Sequence, residues 1–112
     1  MRQAVNFTTK GLAVTTATVD LLANSATSES IYKVISLIVT NIDGTNSADY
    51  TASFYDGAAS FAFISTKAVA ADTYLECLTN PMYLQAGDKI THTASANSDL
   101  SVVITYEELA NV

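Results

Sequence analysis

The chain has 112 residues, 49% of them hydrophobic and only 14% charged, with a net charge of −6. That length suits one domain with a single core, and apolar content this high excludes a disordered chain. The acidic balance, with its five Lys and Arg residues scattered singly, gives no electrostatic footprint for nucleic acid and no polybasic membrane patch.

The first residues, Met1 to Gly11, lack the apolar run of a signal peptide and read as an N-terminal arm over 1–11, preceding a domain over 12–112. From there the hydrophobic period is 2 wherever it can be followed. The expected strands are 12–20, 31–41, 49–55, 61–66, 73–78, 82–85, 89–95 and 100–107. Between them stand turn signals: Asp43-Gly44, Asp56-Gly57, Ala86-Gly87-Asp88 and Asn97-Ser98-Asp99, residue types that tolerate positive φ. Pro81 opens a strand, where a proline is tolerated. Seven or eight short strands with a turn about every ten residues predict an all-β, single-domain antiparallel β-sandwich, either jelly-roll or immunoglobulin-like.

The 31–41 strand differs from the others. On strict alternation Ile31, Ile35, Leu37 and Val39 face one side, while Tyr32, Val34 and Ile38 make the other side apolar as well. A strand apolar on both faces is covered on both, which makes Tyr32, Val34 and Ile38 candidate interface residues. Phe7, in the arm, is the fourth.

Chemical motifs are sparse. Cys77 is the only cysteine, so it has no intramolecular disulfide partner; it reads as a buried, inert thiol in a chain that assembles in a reducing compartment. His92 is the only histidine and sits between Thr91 and Thr93 without an evident orienting acid. Asn41 to Asp49 is rich in oxygen ligands but lacks the spacing and the bidentate Glu of a calcium loop. Glu107 and Glu108 are adjacent, so on a strand they point to opposite faces and do not form an acid–base pair. No phosphate-binding, dinucleotide or hydrolase motif is present. The expectation is a non-enzyme with no catalytic residue, metal ligand or cofactor-binding residue. Tyrosines such as Tyr50 and Tyr55 leave a carbohydrate-binding module as a further reading.

Three stretches carry a resemblance. Ser30 to Gly44 (SIYKVISLIVTNIDG) is a strand running into an Asn-x-Asp-Gly turn. Val69 to Glu76 is followed by Pro81 to Ile90 (PMYLQAGDKI), with its Leu-x-x-Gly-Asp turn. Leu100 to Glu108 (LSVVITYEE) closes the chain. Together they resemble the small β-sandwich virion structural proteins of tailed bacteriophages over roughly residues 12–108. The resemblance implies a particle subunit present in many copies, located in the virion and assembled in the host cytoplasm. Within that family the leading expectation is a capsid decoration (cement) protein. It would be a trimer or dimer binding between major capsid protein subunits, with neither nucleic acid nor membrane as partner. A tail or neck structural protein is the alternative.

Overall fold

A computed structural model describes residues 3–111. It contains nine strands: β1 (Gln3–Ala13), β2 (Val19–Ala23), β3 (Ser30–Asn41), β4 (Ala48–Tyr55), β5 (Ser60–Val69), β6 (Tyr74–Glu76), β7 (Met82–Leu84), β8 (Lys89–Ala94) and β9 (Leu100–Asn111). They form two antiparallel sheets. The first has the order β1-β9-β3-β6, with β7 also paired to β3; the second has the order β2-β8-β4-β5. β6 pairs with Ile38–Thr40 and β7 with Tyr32–Val34, so the two short strands share one edge of the first sheet.

Of the links that run between strands, only β4–β5 stays within one sheet and joins hydrogen-bonded neighbours. β6 and β7 follow one another along one edge of the first sheet, and the other six links cross from one sheet to the other. This is the double Greek key of a jelly roll, and the immunoglobulin-like alternative is set aside.

The core lies between the sheets. Leu37, Val39, Leu100, Val102 and Ile104 come from the first sheet and Leu21, Leu22, Tyr50, Ala52 and Ile90 from the second, all buried. β4, β8 and β9 supply theirs by plain alternation, as a half-buried antiparallel strand should.

Two turns need glycine: Gly57 at φ +96° and Gly87 at φ +88°. A Cβ in this region is strained. Gly44 is not among the positive-φ residues, whereas Asp72 and Ser98 are. At the β3–β4 turn the work is done by side chains. Asn41, which is buried, donates from Nδ2 to the carbonyls of Asn46 (2.9 Å) and Val69 (2.8 Å), and its Oδ1 accepts the Asp43 N–H at 2.8 Å. One amide therefore ties three chain segments together. Asn24, also buried, does the same at the other end of the sandwich, donating to the carbonyls of Ser30 (2.9 Å) and Leu84 (3.0 Å).

The sequence expectation fails at two places near the N-terminus. Residues 12–20 are not one strand. Val14 is buried at a corner, its N–H bonded to the Leu100 carbonyl at 2.9 Å, and the chain crosses there from the first sheet to the second. The Thr- and Val-rich run hides this corner because it looks the same on both sides of it. The expected boundary between residues 11 and 12 falls inside β1, which pairs with β9 without interruption from Gln3↔Asn111 to Ala13↔Ser101. The described part of the expected arm is thus an edge strand of the first sheet; Met1 and Arg2 lie outside the described residues.

Leu37→Ala should cost about 2–5 kcal/mol of unfolding free energy, whereas Ile35→Ala, at a partly exposed site, should cost no more than about 1 kcal/mol. Denaturant unfolding of the two variants measures both.

Candidate functional site

The site is built by one extra residue in β3. Val34 pairs with Tyr106 and Ser36 with Thr105, so Ile35 has no counterpart on β9. Such a bulge shifts the phase of alternation by one residue. Before it, Tyr32 and Val34 face the core; after it, Leu37, Val39 and Asn41 do. The outer face of β3 then carries Ile31, Ile35 and Ile38 among Lys33, Ser36 and Thr40, joined across the ladder by Leu109 opposite Ile31 and Val103 opposite Ile38. β1 adds Val5, opposite Leu109, and Phe7, opposite Glu107. Tyr83 lies opposite Lys33, and Tyr74 opposite Thr40.

The outcome is an outer face that carries Val5, Phe7, Ile31, Ile35, Val103, Tyr74 and Tyr83, all exposed, with Phe7 at 68%. The second sheet presents a different outer surface. Asp49, Thr51, Ser53, Thr91 and Thr93 line it, together with Tyr55 and an Asp20–Lys89 ion pair at 3.0 Å whose ammonium lies over the Tyr55 ring. One outer face therefore carries an apolar cluster set among polar residues such as Lys33, Thr105 and Glu107, and the other is polar.

This corrects the interface expected from strict alternation. Val34 is fully buried in the core, and Tyr32 is a half-buried core neighbour whose ring centroid lies 5.3 Å from that of Tyr106. Burial, with the nearby Glu108 carboxylate, raises the Tyr32 pKa. Ile38 lies on the outer face, half-buried, and Phe7 stands exposed on the edge strand. Ile31, Ile35, Val103, Tyr74 and Tyr83 were missed. The signal for the first two was present, since both are apolar residues on the doubly apolar strand, but they were assigned to the wrong side.

The polar candidates fall elsewhere. His92 is 2% exposed in the core, and its Nδ1 lies 3.0 Å from the hydroxyl of the fully buried Tyr50. The two rings meet edge to face. Burial lowers the His92 pKa, with a smaller contribution from Lys10. This neutral pair, closed off from solvent, is a satisfied polar contact inside a core. Tyr50 is thereby removed as a sugar-stacking platform, and Tyr55 lies beneath Lys89.

Cys77 is half-buried, and burial pushes its thiol up to about 11. A thiol held protonated is a poor nucleophile. Asp43 accepts the N–H groups of Thr45 (2.8 Å) and Asn46 (3.2 Å), which hold its carboxyl below the usual carboxylate range. Its oxygens thus serve the turn. Among the described residues no group of three or more His, Cys, Asp or Glu side chains is placed to hold a metal.

Solved structures share this fold. A chain from the Bacillus endospore appendages, described as disulfide-linked pili, matches with a TM-score of 0.57 at 17% identity, over 97% of this chain and 89% of that one. A chain of infectious bursal disease virus, Gx strain, matches at 0.56 and 13% identity, over 98% of this chain but 32% of the longer viral one. A chain from the acid-stable capsid of Helicobacter pylori bacteriophage KHP30 matches at 0.54 and 7% identity, over 96% of this chain and 91% of that one. No family model matches the sequence, and no curated protein does. At these identities the likeness is one of fold: the chain has the jelly roll found in capsid and pilus subunits.

The His92 pKa is lowered from an ordinary 6.5, so the unfolded chain binds the proton more readily than the folded one. The stability this contributes is fully present above pH 6.5 and is lost as pH falls through the lower folded value. Melting temperature should therefore fall between pH 7.5 and 5 in the natural chain. The fall should be shallower in a Tyr50→Phe, His92→Leu double variant, which removes the titrating group and its partner together. Tyr50→Phe alone should cost about 1–3 kcal/mol at neutral pH by stranding the imidazole nitrogen.

Proposed function

We propose that the chain is a structural subunit of a virus particle, and most specifically a bacteriophage capsid decoration protein that binds between major capsid protein subunits. The observation that carries this reading is the apolar outer face of the first sheet, set against a polar second sheet. Surface of this kind marks a contact site, and a clamp that binds only the joined lattice stabilises it by mass action. The fold it shares with a phage capsid chain supports the reading, as does the turn-and-strand resemblance to phage virion proteins. The described residues offer no nucleophile–base pair, since the one histidine is buried against a tyrosine.

A fibre-like position, such as the tail or neck of the particle, is the second reading. It is favoured by the match to the Bacillus pilus chain, which is nearly full length on both sides. The thiol of Cys77 is half-buried and its pKa is pushed up to about 11, which disfavours a linking disulfide at that residue.

Quantitative mass spectrometry of purified particles separates the two. A decoration protein should approach the copy number of the major capsid protein, whereas a tail or neck protein should be present at a small fraction of it. Val103→Lys, on the outer face, should reduce incorporation into particles while leaving the thermal transition of the free chain within a few degrees. Unchanged incorporation would argue against that face as the contact.

A further inference from the structure

The four sheet edges are not treated alike. β2 is five residues long, carries a register shift and has Asp20 in an ion pair on its face. β5 is broken by two register shifts in its pairing with β4, holds Thr66 at φ +44° and carries Lys67. β6 and β7 are three residues each, with Pro81 between them. Short strands, bulges, charges and prolines are how proteins prevent edges from pairing with other chains. Of these devices β1 carries a single inward-pointing charge, and it has no bulge, no proline and no shortening. It is eleven residues long, its register against β9 is unbroken, and its one charged residue, Lys10, lies on the inward side of the pleat opposite Ile104.

We infer that β1 pairs with β1 of a second copy of this chain, antiparallel about a two-fold axis at Phe7, joining the two first sheets into one.

The backbone parity fits. The Val14 N–H bonds the Leu100 carbonyl, and antiparallel ladders alternate bonded and non-bonded pairs. Carried along the unbroken register, this assigns the even residues of β1 to β9. The N–H and C=O groups of Val5, Phe7, Thr9 and Gly11 then point to the free edge. A two-fold at Phe7 sets Phe7 opposite Phe7, Val5 opposite Thr9 and Gln3 opposite Gly11, so these free groups meet in bonded pairs. The same register places two aromatic side chains together on the outer face, a favourable cross-strand pair.

Charge selects a second copy as the partner. The chain is acidic, at −6, and its eleven Asp and Glu residues all lie at Asp20 or beyond. β1 and β5 are the two long edges without an acid, and β5 is the one broken by register shifts, so two copies meet at β1 with no Asp or Glu on either paired strand. In this register Lys10 falls opposite Ala4 rather than another cation. The second layer does not obstruct the approach, because from Val5 to Ala13 no β1 side chain is fully buried and the first core residue is Val14.

Sedimentation equilibrium on the purified chain tests this, and it is independent of any particle. The natural chain should sediment as a dimer of the 11.8 kDa subunit. Phe7→Lys and Val5→Pro, the latter removing an edge N–H without touching the β9 ladder, should each raise the dimer dissociation constant at least about thirtyfold. Circular dichroism should show both variants folded. Phe7→Cys in a Cys77→Ala background should form a covalent dimer on mild oxidation, whereas Val103→Cys in the same background should not. A monomeric natural chain would overturn the inference. So would a dimer that survives both edge substitutions, or one in which Phe7→Cys fails to cross-link. Because the readout is the free chain, a dimer found in a protein absent from virions would count against the particle reading and leave this one intact.

Discussion

The β3–β9 ladder is the spine of the molecule, and its one irregularity decides what the surface looks like. It runs from Ser30↔Ala110 to Asn41↔Leu100 with Ile35 as the unmatched residue. β3 lies between β9 on one side and β6 and β7 on the other, so every strand of the first sheet except β1 hydrogen-bonds to it, and β1 reaches it through β9. The bulge lets this one strand put Tyr32 and Val34 into the core at one end and Leu37 and Val39 at the other. Without it one of those pairs would turn outward, and Ile31 and Ile35 or Ile38 would turn inward in their place. Packing and surface are set by the same extra residue.

A consequence is the division of labour between the two sheets. The second sheet can be solvated, because threonine, serine and a Lys89–Asp20 pair cover it. The first sheet cannot be covered by the chain itself. Its outer residues include a cluster of branched aliphatics and aromatics among polar neighbours, and one of its edges is a long regular strand. Both features are costly to an isolated monomer and useful to a subunit that buries them in an assembly. The interior polar groups follow the opposite logic. His92, Tyr50 and Asn41 are buried with hydrogen-bond partners in place, and Asn24 donates to two carbonyls while its Oδ1 is left without a partner; all four hold loops and core together.

Much of this was legible in the sequence, and the parts that were not have physical causes. β4, β8 and β9 alternate cleanly, so Tyr50, Ala52, Ile90, Leu100, Val102 and Ile104 could be assigned to the core from period alone. The bulge at Ile35 could not, because a bulge leaves no mark in a run where both faces are apolar; Val34 was therefore placed on the surface and Ile35 in the core. β5 was expected to end at Thr66 but continues to Val69, since its bulges and the positive φ of Thr66 interrupt the alternation without ending the pairing. The Tyr50–His92 contact depends on β4 and β8 being neighbours with Ala52 opposite His92, a fact of topology rather than of local pattern. β1 lacks turn signals and core residues, and so it read as an arm. Only its pairing with β9 shows that it belongs to the sheet.

The apolar cluster on the outer face of the first sheet is surface for another subunit to cover. A cryo-electron map of the native particle at side-chain resolution tests it directly. The map should show this jelly roll with Ile31, Ile35, Val103 and Tyr83 against a neighbouring protein and the Thr91–Thr93 face toward solvent. A particle in which the first sheet faces solvent and the second makes the contacts would contradict it.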